Sequence, residues 1–265
     1  MSISVYLANA MLDHILGTAE FTPPEELYIG LYTGNPETNP ETEISTIGTG
    51  YARVLKSFTD PGQSQYGYAY AVFDTNFGQA LTDNGTVQYL GISDALTGGN
   101  LLFYDQTRIY GEVSGFDYNT GVVPIILDYK LKLSFSDVLP VSMAIKYLKH
   151  ILGRELITMP GEIWFDVRSG VDVAGNLKQC DRKQITMSAA VDKQSSCTGD
   201  PAIFFITLPG VGGSENKIKY FGLWDNETGL GADHCLFIDQ LNPEVDYLEY
   251  AAFKLSSGDL TINFG

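Results

Sequence analysis

Residues 5–17 read Val5-Tyr6-Leu7-Ala8-Asn9-Ala10-Met11-Leu12-Asp13-His14-Ile15-Leu16-Gly17, and residues 141–153 read Val141-Ser142-Met143-Ala144-Ile145-Lys146-Tyr147-Leu148-Lys149-His150-Ile151-Leu152-Gly153. In the first stretch Val5, Ala8, Leu12, Ile15 and Leu16 recur at three- and four-residue steps, the pattern of an amphipathic helix, and Gly17 stands where a helix C-terminus prefers glycine. The second stretch repeats both features. Extending the comparison at a shift of 136 lays residues 5–34 over 141–170 without a gap, with 11 of 30 positions identical, where average composition gives about two. A second block aligns at a shift of 131, Tyr89, Gly91, Asp94, Thr97 and Gly98 over Tyr220, Gly222, Asp225, Thr228 and Gly229. A third aligns Leu102, Phe103, Asp105 and Gln106 over Leu236, Phe237, Asp239 and Gln240. Blocks in the same order, with shifts that differ by small loop changes, predict a tandem duplication. The expected units are residues 1–137 and 138–265, joined near Asp137–Pro140.

Outward from each helix the period changes from 3.6 to 2. Leu27, Ile29 and Leu31 alternate with Tyr28, Gly30 and Tyr32, and the second half answers with Ile163, Phe165 and Val167, as strands do. Further strands are expected at 51–58, 66–73, 87–92, 101–105, 122–127 and 129–135, then at 184–191, 202–208, 218–224, 235–238, 249–255 and 260–264. Glycines fall mostly between these runs. Short strands separated by turns predict a mainly β chain of two tandem β-sandwich domains, each opened by a short amphipathic N-terminal helix.

Composition narrows the function. The chain has 265 residues, 44% hydrophobic and 12% aromatic, enough apolar material for a core in each unit. Its formal charge of −16 opposes a phosphate backbone or an anionic lipid surface, so neither nucleic acid nor membrane is an expected partner. Residues 1–137 hold 5 basic and 16 acidic side chains against 11 and 16 in 138–265, a net of −11 against −5, which points the two halves toward different neighbours. No run reaches the roughly 20 apolar residues of a membrane helix, and the N-terminus lacks a signal-peptide pattern. Three cysteines without CxxC spacing, Cys180, Cys197 and Cys235, read as reduced thiols.

The residues offer little for catalysis. His14 and His150 occupy the same place on the two helices but no nucleophile motif repeats with them, so they are expected to be structural, at a helix end where the dipole favours a cation. His234 beside Cys235 lacks a second pair at metal spacing. Gly210-Val211-Gly212-Gly213, followed by Ser214 and Lys217, lacks the phosphate-loop register. The acidic turns Asp94–Asn100 and Asp225–Asp233 lack the ligand pattern of a calcium loop and are expected to be Asx-bonded turns. The chain is therefore expected to have no catalytic, cofactor-binding or metal-binding residues and no cofactor.

Two features suit recognition. Asn35-Pro36-Glu37-Thr38 repeats at once as Asn39-Pro40-Glu41-Thr42, read as a solvated acidic loop in preference to a docking arm. Tyr66, Tyr68 and Tyr70 would share one face of a strand, suited to a protein interface or a sugar platform.

The opening helix, Leu27–Thr33, Gly50-Tyr51-Ala52-Arg53 and Gly91–Tyr104 together resemble a family of bacteriophage tail fibre proteins, small virion components. The second half keeps the helix, Ile163–Val167, Tyr220–Asp225 and Gly258–Ile262, but reads Cys180-Asp181-Arg182 in place of Tyr-Ala-Arg. The resemblance implies a non-enzymatic structural component of a tailed phage particle, made in the host cytoplasm and carried in the virion. Its implied partners are other phage structural proteins, with homo-oligomer formation in the particle. With no heptad run or β-helix repeat for a shaft, a tail, neck or fibre-associated adaptor is expected. The alternative is a host-glycan-binding module of a phage receptor apparatus.

Overall fold

In the computed structural model the described residues are 1–63, 69–109, 112–133, 141–168, 181–199, 202–205, 217–229, 234–246 and 252–263. The expected boundary near Asp137–Pro140, and Tyr66, Tyr68, Cys180 and Gly210–Ser214, lie outside them.

The chain is mainly β, with antiparallel sheets and two 11-residue helices, α1 (Val5–Ile15) and α2 (Val141–Ile151). Ser4 caps α1, its hydroxyl accepting from the Leu7 amide at 3.0 Å, which satisfies one of the free amides of the first turn. Glu37 supplies a second cap, its carboxylate accepting from the Val5 amide at 2.8 Å. The Asn-Pro-Glu-Thr loop is thus folded back onto its own helix, with Pro36 buried. The solvated-loop reading holds for Thr38–Glu41, which are exposed, and fails at Pro36 and Glu37, because a carboxylate gains more at a helix N-terminus, where unpaired amides and the dipole converge, than in water. Gly17 and Gly153 end the helices at φ +71° and +65°, as a left-handed C-cap requires.

The first half builds a five-stranded sheet in the order Ser2–Ile3, Leu101–Gln106, Tyr89–Ser93, Tyr28–Tyr32, Val54–Leu55, and a three-stranded sheet of Ile125–Leu133, Ala69–Asn76 and Gly62–Gln63. The two strands expected at 122–127 and 129–135 are one strand, broken in register between Ile126 and Tyr129. The second half builds a six-stranded sheet in the order Cys235–Asp246, Lys217–Trp224, Ile163–Arg168, Lys183–Met187, Gln194–Thr198, Thr261–Asn263. Gln194–Thr198 was not anticipated: its Ser-Ser-Cys-Thr stretch lacks apolar alternation.

Four neighbouring strands of each main sheet follow the same order and register. Tyr28, Ile29, Gly30, Leu31 and Tyr32 face Ser93, Ile92, Gly91, Leu90 and Tyr89; their counterparts at shifts of 136 and 131, Trp164 to Arg168, face Trp224, Leu223, Gly222, Phe221 and Tyr220. The next ladder breaks register between Ile92 and Ser93 in one half and between Leu223 and Trp224, their counterparts, in the other.

The apolar helix stripes are buried, with Leu7, Met11, Leu12, Tyr147, Leu148 and Ile151 fully covered. Their cover comes from both halves of the chain. Besides Leu101–Gln106, α1 packs on Gln194–Thr198 of the second half, and α2 packs on Ala69–Asn76, Gly62–Gln63 and Ile125–Leu133 of the first. One apolar cluster consequently runs through both halves, joining Ile29, Leu31 and Ile92 to Phe165, Val167 and Leu223.

Candidate functional site: the joint between the halves and two arginine clamps

The helices, each packed partly on the other half, bring His14 and His150 together. Their rings stack with centroids 4.5 Å apart and planes at 25°, each residue 1% exposed. The Phe21 amide donates to His14 Nδ1 at 3.1 Å, and the Ile157 amide donates to His150 Nδ1 at 3.1 Å. An Nδ1 that accepts leaves the proton of a neutral ring on Nε2, and His14 Nε2 donates it to the Ile157 carbonyl at 2.9 Å. Burial lowers both pKa values, and for His150 the neighbouring His14 adds to it, bringing the value to about 4. The electrostatics expected of these helix-end histidines reverses. A helix C-terminus favours a cation by about 0.3–1 kcal/mol, less than burial costs a charge.

Further bonds cross the joint. Asp13 accepts from the Ala190 amide at 2.7 Å, Asn9 from the Lys193 amide at 2.7 Å, Lys193 Nζ reaches the Ile3 carbonyl at 2.8 Å, and Arg154 reaches the Phe58 carbonyl at 2.6 Å. Asp192 and Lys193 sit at φ 50° and 65°, an unusual conformation for side chains other than glycine, at the tip of the turn that meets α1.

The second arrangement is a guanidinium that closes a turn. Arg53 Nη1 donates to the Ala95 and Gly98 carbonyls, each at 2.7 Å, while Nε and Nη2 hold both oxygens of Glu43 at 2.7 Å. Tyr51 completes it, donating to Glu43 at 2.9 Å and accepting from the Leu31 amide at 3.0 Å. Burial first, then Glu43, raises the Tyr51 pKa well above the usual phenol range. Arg182 does the same in the second half, donating to the Asn226 and Gly229 carbonyls at 3.1 and 2.7 Å. Its acid is different. Asp166, in the ladder position of Gly30, lies 3.3 Å from Arg182 and accepts from Arg168 at 2.7 and 3.0 Å. Both guanidinium groups flank the Trp224 ring, at 3.7 and 4.3 Å from its centroid. Asp166, Arg168 and Trp224 are fully buried. Burial, with Arg168 nearby, lowers the Arg182 pKa.

The turns that Arg53 and Arg182 hold are the acidic ones read from sequence. Asp94 accepts from the Asn100 amide at 2.6 Å and the Asn100 side chain at 2.7 Å, an Asx-type closure. In the second, Asp225 meets His234 Nδ1 at 3.0 Å and Asn226 at 2.7 Å. Cys235 is buried and its thiol is pushed up to about 12 by burial, so it gives His234 no thiolate to work with at neutral pH. Among the described residues no group of three metal-ligating side chains assembles, and no helix is long and apolar enough to cross a membrane.

Two pockets lie at corresponding places beside the joint. One of about 350 Å³ is lined by Phe21, Thr22, Pro24, Asp94 and Leu102, the other of about 300 Å³ by Ile157, Thr158, Pro160, Asp225 and Leu236. Of the tyrosine stripe only Tyr70 is described, under Lys130 at 5.5 Å.

Residues 2–114 match the family described as podophage GP4 fiber I protein gp80. This segment of the chain is similar to a phage fibre family. It contains every first-half motif that carried the resemblance, including Arg53 and the turn it holds. No curated protein matches the chain. The family is one of phage fibre proteins, which supports a structural protein of the phage tail.

Proposed function

We propose that the chain is a non-enzymatic, fibre-associated adaptor of a phage tail, carried in the virion and built from two diverged copies of one unit, residues 1–137 and 138–265. The observation that carries the tail assignment is the fibre-family match over residues 2–114. The two-copy reading rests on ladder registers that coincide at the shifts found in the sequence, and on the matched turn carbonyls of Arg53 and Arg182. The reciprocal packing of α1 and α2 then resembles the isologous interface of a twofold dimer, with the partner supplied by the same chain. The adaptor contacts other virion proteins through outer surfaces that differ in charge, −11 against −5. Electron cryomicroscopy of the assembled particle tests this: density for both halves at the tail, packed against neighbouring subunits, is expected. Absence of the protein from purified particles would refute the assignment.

A further inference from the structure

We propose that the His14–His150 stack is an acid-sensitive latch, which holds the two halves together only while both rings are neutral and opens their joint on protonation. The hydrogen-bond pattern carries the argument. Each Nδ1 accepts from a backbone amide, Phe21 for His14 and Ile157 for His150, both at 3.1 Å. An imidazolium carries protons on both nitrogens and accepts nothing, so protonation sets an N–H against an N–H at each ring. It also places two positive charges in stacked rings 4.5 Å apart and 1% exposed, where water screens them poorly.

The surroundings do not offset this. On α1, Asp13 is taken by Thr18 and the Ala190 amide. The Ile157 carbonyl and then Glu20 favour a charge on His14, and the backbone at Phe21 and Glu155 favours one on His150, but burial outweighs them at both rings. On and after α2, Lys149 pairs with Glu155 at 2.9 Å and Arg154 with the Phe58 carbonyl; Lys146 adds positive charge. Glu25, Glu26 and Glu162 complete the charged groups of the segments after the helices. On the strands packed against the helices, Asp105 pairs with the N-terminal amine at 3.3 Å and Lys130 lies over Tyr70; Asp74, Asp128 and Lys132 are the other charged residues of these strands. Lys193 adjoins α1, bound to the Ile3 carbonyl. The buried stack is the point where α1, α2 and the segments at Phe21 and Ile157 meet, so its loss releases the His14–Ile157, Asp13–Ala190 and Asn9–Lys193 bonds together.

The test is a pH titration of the full chain followed by nitrogen NMR of the histidine rings and hydrogen exchange of backbone amides. Both rings should be neutral with the proton on Nε2 at pH 7. Between about pH 6.5 and 4, the opening constant measured at Phe21, Ile157, Ala190 and Lys193 should rise about ten- to a hundredfold per pH unit, as one or two protons are taken up. The double variant His14→Asn/His150→Asn, which offers an amide oxygen near each Nδ1 and does not titrate, should show no such rise. Ring protonation with the amides still protected, or opening of the double variant at the wild-type pH, overturns the proposal. Should the double variant fail to fold, the wild-type titration decides by itself, and the single His150→Asn variant should keep a slope of no more than tenfold.

Discussion

Replacing Gly17 or Gly153 by alanine makes the same chemical change at corresponding helix ends, yet the structure predicts unequal costs. Both residues are left-handed, at φ +71° and +65°, and a side chain there costs about 1–2 kcal/mol. Alanine also stiffens the unfolded chain, which returns about 0.4–1 kcal/mol in both cases. The difference lies across the joint. A Cβ on Gly17 would stand 2.6 Å from the Pro160 carbonyl oxygen, whereas a Cβ on Gly153 would stand 3.4 Å from that of Pro24. The second distance is ordinary contact; the first requires backbone to move beside the histidine stack, an overpacking cost of about 1–3 kcal/mol. Gly153→Ala should therefore lose about 0.5–1 kcal/mol and Gly17→Ala about 2–4 kcal/mol. Urea unfolding followed by circular dichroism, with a common m-value, measures both. Equal losses, or a larger loss for Gly153→Ala, would refute the reasoning that α1 ends against the second half.

Leu16→Ala, at a site 2% exposed, should lower stability by about 2–5 kcal/mol as a core cavity; an unchanged melting temperature would place the stripe in solvent. Arg53→Lys keeps the charge but cannot span Glu43 and two carbonyls at once, and should cost about 1–3 kcal/mol in denaturant unfolding. Glu37→Gln should lower thermal stability by about 0.3–1 kcal/mol through the charge lost at the α1 N-terminus. Because the folded His150 value of about 4 lies below its ordinary 6.5, the unfolded chain binds the proton first. Stability should thus be full above pH 6.5 and fall by up to about 3 kcal/mol on acidification toward pH 4, a loss that calorimetry reads.

Periodicity told which residues are apolar and on which face, and that sufficed for both helices, for Tyr28–Tyr32, and for the shared ladder register. It could not tell what covers a face. Leu12 and Leu148 recur at the spacing of any core helix, whether the covering sheet belongs to the same half or the other. The meeting of His14 with His150 follows from that choice of cover and was equally hidden. Glu37 was misread because a capping carboxylate 32 residues from its amide leaves no local pattern. The Asp166–Arg168 pair did leave one, since residues two apart on a strand share a face, and Arg182 was visible as the retained third residue of Cys180-Asp181-Arg182.

The two arginine clamps indicate what the fold has to keep. Arg53 and Arg182 hold the carbonyls of corresponding turns, Ala95 and Gly98 in one half, Asn226 and Gly229 in the other. Their acids come from unrelated places, Glu43 in a loop and Asp166 in a central strand. A buried guanidinium needs a counter-charge wherever it can be found, because leaving it unpaired costs about 3–5 kcal/mol, whereas the turn can be tied only from the position beside it. Position is therefore fixed by the turn and the acid is free to move. Where the acid came to lie in the sheet itself, Arg168 and Trp224 stand in the ladder positions of Tyr32 and Ser93. A second cation and a flat ring thus fill the space around one carboxylate. A corresponding turn is held in both halves by different chemistry, which makes the clamp an architectural device.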